Sequence, residues 1–272
     1  MRLRVPPDEA SLHLVRLTAP LDRGYLLDVP VGRLRSSLGI RLFGGHHPYM
    51  VAAAAATETE QRDHLRDAYS RFQPRTAADV LGVTAAQAPA FADAVPLGFL
   101  MPWELGDPET RVRERTAWYE QEARDFGEAL TIAEGANLFG PVSEAKLTLE
   151  LHRLSALRAS IAEAGYHRHD GDDGDVEGWM LTTHEGAWRV VVSRGQHRAA
   201  SVAALGLPTL PVRITHQPIK RDDAPYWPQV QAGRITTEGA RAVFDRVMRG
   251  DPPTLHSSRQ GGLQRVATRR RA

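Results

Sequence analysis

Hydrophobic and polar positions change their rhythm several times along the chain. "SLHLVRL" (11–17) alternates apolar and polar residues and predicts a strand, and "GYLLDVPVGRLRSSLGIRLF" (24–43) predicts one or two short extended pieces around a proline. Residues 50–72, "MVAAAAATETEQRDHLRDAYSRF", are rich in helix formers and stop just before Pro74, which predicts a single helix. Thr76 with Asp79 has the spacing of a capping box and opens the short helix "AADVLGV". "VPLGFLMPWELGDP" reads as an ordered loop, and 108–126 as a mixed-charge, solvated helix with proline in its first turn. In 140–166, Leu147, Leu151, Leu154, Leu157 and Ile161 recur at three- and four-residue intervals, so they lie on one helical stripe that ends at Gly165. "WMLTTHEGAWRVVVSRG" (179–195) predicts a hairpin turning at Glu185-Gly186, its second arm an unbroken apolar strand of the kind buried on both faces. A small alanine-rich helix, a buried strand "LPVRI" (210–214) and an amphipathic helix starting near Thr236 complete the pattern.

These elements predict an α+β protein: a mostly helical region with short strands over 1–135, a small mixed sheet with packed helices over 136–252, and a polar, basic tail over 253–272 without any core pattern. No internal repeat is visible.

Composition narrows the chemistry. The 272 residues contain no cysteine, which excludes disulfides, thiolate metal sites and cysteine nucleophiles. Hydrophobic residues make up 42% and charged ones 25%, ordinary for a soluble globular chain, and a net charge of +1 gives no global field for nucleic acid or membrane. Only Lys146 and Lys220 are lysines, so arginine supplies 32 of the 34 basic residues. The opening decapeptide has no signal-like apolar run and no stretch approaches a membrane span, so a cytoplasmic protein without a membrane partner is expected.

The most informative stretch is "VVVSRGQHRAASVAALGLPTLPVRI" (190–214). A strand that ends in Gly195 lets the chain turn tightly and lets a ligand approach the main chain. The helix that follows offers free N–H groups and a positive dipole end, Arg198 adds a bidentate phosphate donor and His197 another. Together these predict a phosphate-binding corner at Gly195, Gln196, His197 and Arg198. The alternative on the same residues is a plain turn glycine, a surface ion pair at Arg198 and a packed His197.

"LRASIAEAGY" followed by "WRVVVSRGQHRAASVAALGLPTLPVRI" resembles the ParB/sulfiredoxin superfamily, whose members carry a Leu-x-x-Ser-Ile helix, a strand, a Gly-x-(His/Arg)-Arg turn, a short helix and a Pro-Val strand. The likeness covers roughly residues 138–215. It implies that the turn holds nucleotide phosphates. Sulfiredoxins place a cysteine where this chain has Gln196, so their chemistry is excluded. Partition proteins carry Gly-Glu-Arg-Arg before a helix-turn-helix domain, whereas about 57 residues with one convincing helix remain here. The serine kinases of the superfamily resemble this turn best and place a glutamate base upstream, where Glu144 stands; their Asp before the turn glycine is Arg194 here. The expected function is a nucleotide-dependent phosphotransferase or NTPase acting on a small-molecule acceptor, with a nucleoside tri- or diphosphate as cofactor, Mg²⁺ beside it, and Glu144 as base. The alternatives are a ParB-like DNA-binding or nuclease protein and a nucleotide-gated binding module without catalysis. On its own residues, Glu144 equally suits the first turn of a helix capped by Ser143.

Other clusters read as structural. "HRHDGDDGD" (167–175) looks like a metal loop but fails the EF-hand pattern, with Leu181 where the twelfth-position glutamate belongs. His46 and His47 are adjacent and rarely share a metal when extended. "PIKRDDAPYWPQVQAG" (218–233) reads as a packed connector, with a lid over the nucleotide as the lesser alternative.

Overall fold

The computed structural model describes residues 24–168 and 174–256. The strand expected at 11–17, the middle of the acidic loop and the tail beyond residue 256 lie outside the described residues.

Among the described residues the first elements are β1 (Tyr25–Pro30) and β2 (Leu34–Arg35), separated by one 3-10 turn over Val31–Arg33. Helices α1 (Pro48–Ala54) and α2 (Glu58–Arg71) stand where one continuous helix was expected. Thr57 breaks it: its hydroxyl accepts from Glu60 N, while the Glu60 carboxylate accepts from the backbone N–H of Ala56 and Thr57. This reciprocal cap stabilises a second start inside a run of good helix formers. The Thr76–Asp79 capping box forms as expected and opens α3 (Ala77–Leu81), which Gly82 ends in the left-handed conformation. Then come α4 (Pro89–Asp93), α5 (Pro108–Asp125), capped by Asp107, and α6 (Glu144–Ala164), capped by Ser143. The hairpin forms with β3 (Val176–Thr182) and β4 (Trp188–Arg194), followed by α7 (Gln196–Ala204), β5 (Thr209–Ile214), β6 (Ile219–Lys220), α8 (Pro228–Gln231) and α9 (Thr237–Arg249).

The fold is α+β. The sheet runs β1-β5-β3-β4-β2, with β6 pairing β3 beyond the end of β5. β1/β5 and β3/β4 pair antiparallel, β3/β5 and β2/β4 parallel. Strands from both sides of residues 135/136 therefore share one sheet, because β1 hydrogen-bonds to β5 along its whole length and β2 to β4.

Alternation along the central strands sends side chains to two cores. Val190, Val192, Val176 and Met180 join Leu147, Leu151, Leu154 and the alanines of α7 on one face. Val191 and Leu181 join Phe91, Phe99, Val243 and Phe244 on the other. Both faces of β4 are buried, as its unbroken apolar run predicts. The segment 218–233 is a packed connector on the second face: Trp227 sits 5.4 Å from the Trp103 ring and 5.7 Å from Phe244, and Gln229 Nε2 donates to Glu104 O at 2.7 Å. Two buried arginines tie α9 to the segment around β2. Arg35 donates to the carbonyls of Val247 and Met248 at the end of α9, and Arg246 donates to Leu38 O.

Candidate functional site

The β4–α7 turn is built around Gly195, whose φ of 89° is left-handed and whose Cβ, if present, would lie 2.9 Å from Val176 Cγ2. Only glycine fits there without strain. α7 starts at this residue without a side-chain cap, so the N–H groups of its first turn have no side-chain oxygen from the N-cap position.

The three residues after Gly195 go to three different places. His197 turns inward and is 5% exposed: Nε2 lies 2.7 Å from Glu150 Oε2, and the ring stacks on Tyr49 with centroids 4.5 Å apart. Arg198 donates to Gly174 O at 2.7 Å. Gln196 donates through Nε2 to Val192 O.

His197 belongs to a buried polar network that the sequence did not reveal. Glu150, fully buried, also receives Lys146 Nζ at 2.8 Å, Arg153 at 3.3 Å and the Tyr49 hydroxyl at 3.1 Å. Arg153 pairs onward with Glu122. Burial would raise the Glu150 carboxyl, but His197, Arg153 and Lys146 outweigh it and hold that carboxyl well below the usual carboxylate range. The hydroxyls of Tyr49 and Tyr69 lie 2.9 Å apart, and each reaches the backbone carbonyl of Asn137, at 2.6 and 3.2 Å. One network thus fixes both the start of α7 and the position of Asn137. Its signal in the sequence was the spacing of Lys146, Glu150 and Arg153, at i, i+4 and i+7, the same rhythm as the leucines beside them.

Two clefts meet at this point, sharing the wall formed by Ser37, Asn137, Leu138 and Gln196. The first, of about 310 Å³, runs past Ser193 and Arg194 to Phe99, Trp118 and Trp179, with Arg111, Arg115 and Glu104 along its side. Arg115 stacks its guanidinium 3.7 Å from the Phe99 ring centre and donates to Leu97 O and Phe99 O; burial pushes it down to about 10. Glu104 accepts from Met101 N and from Arg111, and burial raises its carboxyl despite those partners. The helix expected to be solvated therefore half-buries Arg115 and lends Arg111, Arg115 and Trp118 to a cleft, at the i, i+4, i+7 spacing of one helical face. The second cleft, of about 360 Å³, opens between His46, His47, Tyr69, Phe72 and Pro253. Ser37 Oγ, His47 Nδ1, Asn137 Oδ1 and Gln196 Oε1 are buried and have no hydrogen-bond partner among the described residues.

No family model, curated protein or solved structure matches the chain.

Of the residues singled out by sequence, Gln196 lines both clefts and Gly195 lines neither, while His197 and Arg198 are engaged elsewhere. Glu144 is exposed on the first turn of α6 and pairs with Arg66 at 3.0 Å and Arg62 at 3.6 Å; the hydrogen bond from Arg66 chiefly lowers its carboxyl. It stands six residues before Glu150, about 9 Å along the helix and about 240° around it, and lines neither cleft. Of the acidic loop, Asp175 accepts from Arg168 and Arg213; no group of three His, Asp or Glu side chains among the described residues is placed to hold a metal ion.

Proposed function

We propose that the chain is a nucleotide-binding protein of the ParB/sulfiredoxin type, with the nucleotide in the first cleft. The observation that carries this reading is the uncapped start of α7 at Gly195, opening beside a cleft that has Arg194 and Gln196 at that end and Trp118, Trp179 and Phe99 along it. Helix N–H groups and an arginine suit phosphate, and aromatic faces suit a nucleobase. The phosphates lie against the main chain of Gly195–Gln196 and against Arg194, with Arg198 holding the neighbouring loop through Gly174 O. His197 supports the turn from beneath, through Glu150, instead of touching the ligand. Mg²⁺ would enter as a companion of the nucleotide phosphates.

A second reading, phosphotransfer or hydrolysis on this site, is favoured by Glu104. Its carboxyl, raised by burial, lines the same cleft, which suits a general base better than the lowered, exposed carboxyl of Glu144.

Calorimetry with ATP, CTP and ADP, with and without Mg²⁺, tests the binding reading. Arg194→Ala should weaken the best of these ligands by at least tenfold, from loss of a charge-assisted contact worth about 1.5–3 kcal/mol. Trp118→Ala should weaken it severalfold, and Glu144→Gln should leave it unchanged. Absence of binding by all three nucleotides, or equal affinities for wild type and Arg194→Ala, would overturn the assignment.

A further inference from the structure

We infer that the β2 edge of the sheet carries an oxyanion site, built by Arg33 and Arg189, for a small ligand with a pyrophosphate or similarly multivalent phosphate group. The parallel register sets Leu34 beside Val190 and Arg35 beside Val191, so the chain brings Arg33 alongside Arg189. Trp188 holds both. The Arg33 guanidinium carbon lies 4.1 Å over the centre of the Trp188 ring, and Arg189 Nη1 donates to Trp188 O at 2.7 Å. Both arginines are half-buried, and neither pairs with a carboxylate among the described residues.

The surroundings add charge without cancelling it. Arg41 bridges Arg35 and shares Asp251 with Arg249, at 3.2 and 2.8 Å. Arg35, buried, spends its donors on the carbonyls of Gly32, Leu34, Val247 and Met248. Among Arg33, Arg35, Arg41, Arg189 and Arg249, the one paired carboxylate is Asp251. Burial and then Arg33 lower the Arg189 guanidinium, while burial followed by Arg189 and Arg41 pushes Arg35 down to about 10. Like charges gathered in a partly desolvated place are costly, and an anion beside them removes that cost.

The chemistry of the pair sets the class of ligand. Stacking uses the flat face of a guanidinium and leaves its N–H edge for an acceptor, and Arg189 keeps Nη2 beyond its bond to Trp188 O. Two such forks side by side suit the several oxygens and the multiple charge of a phosphate group, whereas one carboxylate would neutralise half of the pair. The end of the chain does not supply the anion, because residues 257–272 contain Arg259, Arg265, Arg269, Arg270 and Arg271 but no Asp or Glu. The site is separate from the one proposed for the nucleotide: Arg189 precedes Arg194 by five residues of β4, about 17 Å along the strand, and neither Arg33 nor Arg189 lines either cleft.

The test is titration calorimetry of the full chain with inorganic pyrophosphate, in the Arg194→Ala background so that the cleft proposed for the nucleotide does not contribute. That chain should bind pyrophosphate, and adding Arg33→Gln or Arg189→Gln should weaken the binding at least tenfold. Arg124→Gln removes an exposed charge from α5 and should leave it unchanged. Should Arg189→Gln lose its cooperative melt, the Arg33→Gln arm decides alone. No binding by Arg194→Ala, unchanged affinity in the two glutamine variants, or an equal loss in Arg124→Gln would overturn the inference. So would tighter, Arg33-dependent binding of an oligothymidylate strand, which would make the occupant a nucleic acid instead of a small phosphate ligand. The combined variant Arg33→Gln/Arg189→Gln should keep any ATP binding that depends on Arg194, so the two sites fail independently.

Discussion

At the scale of single residues, His47 shows how burial becomes a pH dependence. Desolvation, with a smaller contribution from His197, pushes its imidazole down from 6.5 to about 3. Between those values the unfolded chain binds the proton and the folded chain does not, so stability rises with pH there and falls as pH drops from about 6.5 towards 3. The slope from this one group approaches about 1.4 kcal/mol per pH unit. Urea unfolding at pH 7 and pH 5 should therefore show a larger loss in wild type than in His47→Phe, and equal losses would show that His47 accepts its proton in the folded state. Gly195 makes a steric prediction. An alanine there meets both the left-handed φ of 89° and Val176 at 2.9 Å, so Gly195→Ala should cost about 1–2 kcal/mol or more and lower Tm by several degrees. The need for glycine was legible from the sequence, since a strand ran straight into a helix. The direction of His197 was not, because its partner Glu150 lies 47 residues earlier and the spacing that groups Glu150 with Lys146 and Arg153 does not point to His197.

Among the elements, those set by their own residues were the ones the pattern predicted. The β3–β4 hairpin, α3 with its capping box, α5 behind its proline and α6 ending at Gly165 all stand within a few residues of expectation. The helix expected over 50–72 divided because a cap competes with propensity, and Thr57 is an effective cap although alanines precede it. Thr57→Ala should cost about 1 kcal/mol, by loss of the oxygen that accepts from Glu60 N; thermal unfolding of the variant measures it, and an unchanged Tm would mean that the break is held by tertiary packing alone. What the pattern could not convey was α6 with a second buried face, where the charged Lys146, Glu150 and Arg153 pack inward beside Leu149. Binary patterning assigns charge to solvent, and fails wherever charges satisfy one another.

Over the whole molecule, the pattern suggested a division near residue 135, yet β1 and β2 complete the sheet and both cores draw on residues from either side. Long-range strand pairing is invisible to a scan of local periodicity. A fragment beginning at residue 136 would expose the edges of β4 and β5 and leave α9 without Arg35 at its end. Expressed alone, residues 136–272 should show no cooperative melt and bind a hydrophobic dye, whereas a sharp transition with dispersed amide resonances would establish an autonomous unit.

The ion network around Glu150 also constrains how this sequence can change over generations. Loss of one buried partner strands an opposite charge and typically destabilises by about 3–5 kcal/mol, while exchange of the whole set for apolar residues of similar volume can be neutral. Lys146, Glu150, Arg153, Glu122 and His197 are therefore epistatic: a substitution tolerated beside altered neighbours is deleterious beside the present ones. Drift can pass through this part of the core only by concerted replacement, so descendants of the chain should inherit these five positions together or lose them together.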